Sequence, residues 1–100
     1  MASVADLVED SAMKQLATED AYTRGNRLAA QGAVQFVTFE PVAVTAHVED
    51  GESYMVDLLR TDGDTLAWSC GCTEGLAGAF CRHCVAAGRE TWLKAPKRHH

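Results

Sequence analysis

The chain has 100 residues, 47% of them apolar, and a net charge of −5 at neutral pH, which suits one domain with a modest core and excludes a wholly disordered chain. No apolar run approaches the roughly 18 residues of a membrane span. The opening Met1-Ala2-Ser3-Val4-Ala5-Asp6 lacks the basic start and apolar stretch of a signal peptide, which points to the cytoplasm, where cysteines are expected to be reduced and to bind metal rather than pair as disulfides.

In chain order, Val4, Leu7, Val8, Ala12 and Leu16 recur at helical spacing among charged residues, predicting one amphipathic helix over residues 4–17. Thr18 before Glu19-Asp20 is an N-cap with acids in the first turn, so a second helix runs to about Gln31 and stops at Gly32. The period then changes. Val34, Phe36, Phe39, Val42, Val44, Ala46 and Val48 predict two strands broken near Glu40-Pro41. Asp50-Gly51 is a tight turn, Ser53–Arg60 a third strand, Asp62-Gly63-Asp64 another turn, and Thr65–Cys70 a fourth strand. Short connections favour an antiparallel meander. Residues 71–80, with three glycines, read as a loop, and Val85, Ala86, Arg89, Trp92 and Leu93 mark a last helix from Cys81 that Pro96 ends. The fold class is α+β: two N-terminal helices, a four-stranded antiparallel sheet and a C-terminal helix. The closing His99-His100 has the form of a purification-tag remnant.

All four cysteines fall between positions 70 and 84, as Cys70-Gly71-Cys72 and Cys81-Arg82-His83-Cys84. Two ligand pairs joined by a flexible loop suit tetrahedral zinc, with Zn–S near ~2.3 Å and Zn–N near ~2.0 Å. Cys81 opens a helix, where unpaired N–H groups and the dipole stabilise a thiolate. Five candidates compete for four positions, because Cys81-x-x-Cys84 is itself a common zinc spacing. A competing pattern is His47-Val48-Glu49 with Cys81-x-x-Cys84, which resembles a zinc deaminase signature. Phe80 stands where that signature has proline, His47 sits in a strand, and Cys70 and Cys72 would go unexplained. A Cys81–His83 nucleophile pair is disfavoured because a zinc-bound thiolate is occupied and four protein ligands leave no open position. No enzymatic activity is expected.

Cys-x-Cys, a short loop, then Cys-x-His resembles the SWIM zinc finger. Tyr22-Thr23-Arg24-Gly25 through Gly32-Ala33-Val34, then Val42–Val48 and Tyr54–Leu58, are similar to the segments ahead of the finger in bacterial members of that family. The resemblance covers about residues 20–90. It implies that Cys70, Cys72, Cys81 and His83 hold one structural zinc, with Cys84 a small core residue where the family usually has an apolar one. The expected division of the chain is an N-terminal helix (1–17), which lies outside the resemblance, a zinc-binding domain (18–95, finger proper 66–90) and a tail (96–100). The resemblance also implies an interaction function, toward a protein such as a Swi/Snf-type helicase-like ATPase, or toward DNA.

Charge bears on that choice. Residues 1–80 carry four basic against thirteen acidic residues, a balance of −9, whereas residues 81–100 have a balance of +4. An acidic body discourages phosphate binding. A strip of Arg82, Arg89, Lys94, Lys97 and Arg98 on the last helix and tail would be the surface for DNA. Trp68 and Trp92 are expected in the core beneath the zinc, and Arg24 and Arg27 on a solvated face.

Overall fold

The computed structural model describes residues 3–95. The elements are α1 (Val4–Leu7), α2 (Asp10–Leu16), α3 (Glu19–Ala30), β1 (Val34–Glu40), β2 (Ala43–Asp50), β3 (Glu52–Thr61), β4 (Thr65–Cys70), α4 (Thr73–Leu76) and α5 (Arg82–Lys94). The strands form one antiparallel sheet in the order β1-β2-β3-β4, so the α+β meander stands. Lys97, Arg98 and the closing histidines lie outside the described residues.

The expected helix over residues 4–17 is two helices. Ser3 caps α1 in a reciprocal pair with Asp6, and the helix ends at Val8, whose backbone (φ −108°, ψ 26°) leaves the α region. Glu9, with ψ 161°, then opens α2. The break has a packing reason. Val8 and Met13 are both fully buried, five residues apart, and on one continuous helix they would sit about 140° apart. Breaking the helix turns both toward α5, where a side chain at Gly88 would meet Met13 and Val8. Met13 takes the core position expected of Leu16, which is exposed.

Helix α3 follows the expected caps: Ala21 N–H donates to Thr18 Oγ1 at 3.1 Å, and Gly32 follows the C-cap Gln31. One sheet face is buried, with Val44, Ala46 and Val48 on β2, Val56 and Leu58 on β3, and Cys70 at the end of β4. Phe36 and Phe39, three apart, both reach toward this face because the β1–β2 register shifts between Phe36 and Thr38, an extra-residue bulge that leaves Val37 outside.

Helix α5 fills the space between the sheet and the other helices, and His83, Cys84, Val85, Ala86, Ala87, Gly88 and Thr91 are all buried. Its contact with α3 is close. A Cβ at Gly25 would lie 2.4 Å from Val85 Cβ and 2.7 Å from the Arg82 carbonyl oxygen. Toward its end the helix leaves the core: Leu93 is exposed and Trp92 half-buried.

Gly25→Ala is therefore expected to destabilise the protein by about 1–3 kcal/mol, the usual cost of overfilling a packed contact. Thermal unfolding followed by circular dichroism checks this; an unchanged Tm would contradict the close α3–α5 packing.

Candidate metal centre

Two chain segments bring the candidate ligands together. The alternation of β4 points Cys70 to the buried face opposite Val56. The chain turns at Gly71, and Cys72 becomes the N-cap of α4, accepting from Gly75 N–H at 3.2 Å. This short helix lies within the segment read as loop; Cys72 and Glu74 stand at its N-cap and in its first turn, but Gly75 inside it masks the signal. The turn is tight, since a Cβ at Gly75 would lie 2.6 Å from both Cys70 Cβ and the Cys70 carbonyl oxygen. Trp68 Nε1–H donates to the Gly78 carbonyl at 3.3 Å, and its ring meets Phe80 edge-on with centroids 5.2 Å apart. That wall delivers Cys81, the N-cap of α5, and His83 in its first turn.

Cys70, Cys72, Cys81 and His83 are all buried, and each offers one donor atom within 4.8 Å of the other three. His83 Nδ1 lies 3.6 Å from Cys70 Sγ and 3.7 Å from Cys81 Sγ. A tetrahedral ion with the usual zinc bond lengths needs S···N edges of about 3.5 Å, so the spacing fits. The cluster can hold one metal ion, and it joins the end of β4 to the start of α5. Cys84 is fully buried and touches Cys81, Sγ to Sγ, at 3.8 Å, but it does not join that set of four.

The electrostatics separate the thiols. Contacts with Cys70 and Cys84 hold Cys81 far below the usual thiol range. Contacts with Cys70 and Cys81, reinforced by burial, push Cys84 far above it. Burial also raises Cys72, against the opposing Gly75 amide. For His83, burial favours the neutral ring, but contacts with Cys70, Cys81 and Asp50 outweigh it and raise the metal-free imidazole to about 11.

Sequence reasoning placed Asp50 only in the turn after the second strand and missed its part in this site. Its Oδ2 lies 2.9 Å from His83 Nε2 and 2.7 Å from Arg82 Nε. His83 and Arg82 hold its carboxyl below the usual range, and Asp50 in turn raises Arg82. Tyr54 stacks on the His83 ring with centroids 4.3 Å apart. Asp50 ends β2 in step with the inward-facing Val44, Ala46 and Val48, so the alternation already aimed it at the buried face; what it lacked was any local mark of a partner 33 positions away.

Other expected residues lie elsewhere. His47 alternates with buried Ala46 and Val48, so the sheet separates it from the thiols; its ring contacts Ser53 instead. Trp68 packs against the core beside the cluster. Trp92 is half-buried and lies nine residues further along α5, about 13.5 Å along the axis from His83. Arg82 pairs with Asp50 and also with Glu74 at 3.0 Å. Arg89 pairs with Asp10 at 3.2 Å, and Lys94 lies over the Phe36 ring. Of the expected basic strip, the two described arginines, Arg82 and Arg89, are thus held by carboxylates.

Fold and cluster together define a small α+β protein with a buried Cys3His set able to hold one metal ion. The chain matches no protein-family profile, no curated protein and no solved structure. No described helix is long and apolar enough to cross a membrane.

His83→Ala should lose more than about 100-fold in metal affinity, exceeding the effect of losing an outer partner, whereas Cys84→Ala should keep the metal. X-ray absorption should show three sulfurs and one nitrogen; four sulfurs would make Cys84 the ligand. Because metal-free His83 holds its proton up to about pH 11, metal uptake must expel it. Affinity should rise with pH across the neutral range, and calorimetry in buffers of different ionisation enthalpy should register proton release.

Proposed function

We propose that this protein is a SWIM-type interaction module built on a single structural zinc, and that it acts by docking a protein partner in the cytoplasm. The observation that carries the reading is the convergence of Cys70, Cys72, Cys81 and His83 on one buried point. Three soft thiolates and an imidazole in a tetrahedral arrangement select zinc over harder cations. Four protein donors leave no position for a reacting water, which favours a structural rather than a catalytic ion. The Cys-x-Cys and Cys-x-His pairs supply the resemblance to the SWIM finger, and with it a helicase-like ATPase as the class of companion.

The charge arrangement supports a protein partner over nucleic acid. Phosphate binding needs free cations, whereas Arg82 and Arg89 are each engaged by acidic side chains on an acidic body. A protein surface uses such half-neutralised arginines and nearby exposed apolar residues, here Leu76 and Leu93, with less dependence on salt.

Elemental analysis of reduced protein should find one zinc per chain. A strong chelator should abolish cooperative unfolding, because zinc binding at such a site is worth on the order of 10 kcal/mol, as much as the whole stability of a typical domain. Protein without zinc would end the reading. A gel shift with duplex DNA at physiological salt should show no tight complex; one that persisted, and that Arg82→Glu with Arg89→Glu abolished, would make DNA the ligand.

A further inference from the structure

We propose that Asp50 is the positioning residue of the metal centre: it fixes His83 in the tautomer that presents Nδ1 to the metal, and it links that ligand to the loop between the two ligand pairs. The inference rests on the zinc reading of the cluster.

A neutral imidazole carries one ring proton, so the hydrogen bond at one nitrogen decides which nitrogen is free to ligate. In this protein Nδ1 faces Cys70 and Cys81 Sγ at 3.6 and 3.7 Å. Nε2 faces Asp50 Oδ2 at 2.9 Å. A carboxylate only accepts, so Nε2 keeps its proton, and the proton that metal uptake expels is the one on Nδ1, whose lone pair is then directed at the space between the thiols. The opposite tautomer would set a lone pair against a carboxylate oxygen.

Neighbouring groups hold Asp50 to this task. Asp50 pairs with Glu52 across the turn at the end of β2, and Gly51 takes the positive φ of +79° that the turn requires. The stacked Tyr54 ring, tilted 19° from the imidazole, fixes the ring plane. Arg82, adjacent to His83 in sequence, donates from Nε to the same Oδ2 at 2.7 Å, offsetting a carboxylate charge that thiolates would otherwise repel. Its other arm reaches Glu74 Oε1 at 3.0 Å. A continuous path therefore runs from Glu74 on α4 through Arg82 and Asp50 to His83. Carboxylates that orient a ligating histidine typically matter by about 10–100-fold in metal affinity.

The test uses the full chain with zinc, titrated against a competing chromophoric chelator, and compares Asp50→Ala and Asp50→Asn in the wild-type and His83→Cys backgrounds. Asp50→Ala should weaken zinc by about 10–100-fold, and Asp50→Asn, which keeps an acceptor oxygen without the charge, should fall between. In the His83→Cys background the loss should vanish, because a thiolate has no N–H to orient. Nitrogen-15 spectra of the zinc-loaded wild type should show His83 protonated at Nε2 and ligating through Nδ1. An equal loss in both backgrounds would overturn the proposal by showing that Asp50 acts through the fold alone. Unchanged affinity in Asp50→Ala, or ligation through Nε2, would overturn it too. Should Asp50→Ala fail to fold, Asp50→Asn carries the same comparison. Wild-type protein that takes up no zinc would refute the zinc reading itself, an outcome separate from an intact zinc site indifferent to Asp50.

Discussion

An imidazole and three thiols buried at the meeting point of β4 and α5 set the terms for the rest of the molecule. His83 is fully buried, and a polar ring in that position is costly unless both nitrogens are satisfied. One nitrogen is answered by Asp50. The other faces only sulfur, which is a good environment for a metal and a poor one for an uncharged ring. A soft cation would resolve this, and in a core of mostly valines and alanines its contribution would rival that of the apolar contacts. The close approaches around the site follow from the same demand. Gly75 lets α4 fold back against Cys70, and Gly25 lets α3 press against the first turns of α5.

The fold was largely legible because its signals are local. Thr18 and Gly32 bracket α3, alternation marks the strands, and Asp50-Gly51 and Asp62-Gly63 mark the turns between them. Reading failed where the decisive contact was distant. Val4, Leu7, Val8, Ala12 and Leu16 make a plausible helical face on their own. Only the surface of α5 near Gly88 favours Val8 with Met13 instead, and the helix breaks to reach it. Leu93 continues the period of α5 but lies beyond the end of the core.

The candidate site was legible to the same degree. Spacing alone named five ligands for four positions, and resemblance to a known finger chose His83 over Cys84. The geometry groups His83 with Cys70, Cys72 and Cys81 and sets Cys84 beside Cys81. Charge was the least legible property. A tally by segment finds a basic C-terminal end, yet Arg82 and Arg89 meet Asp50, Glu74 and Asp10 from far along the chain. Segment charge cannot register such pairing, because it counts ions without their neighbours.

Cys72 and Cys81 are ligand candidates that also begin helices, occupying the N-cap positions of α4 and α5, where serine, threonine or aspartate is usual. Starting a helix is its unfavourable step, since several dihedral angles must be set before the first hydrogen bond repays them. A metal ion gripping both cap residues would set those angles in advance, at two helices at once. In kinetic terms the ion would then act as a nucleus as well as a staple. Helix α5, whose partners on the sheet lie tens of residues upstream, would begin to form where the ion is captured instead of waiting for the sheet to template it.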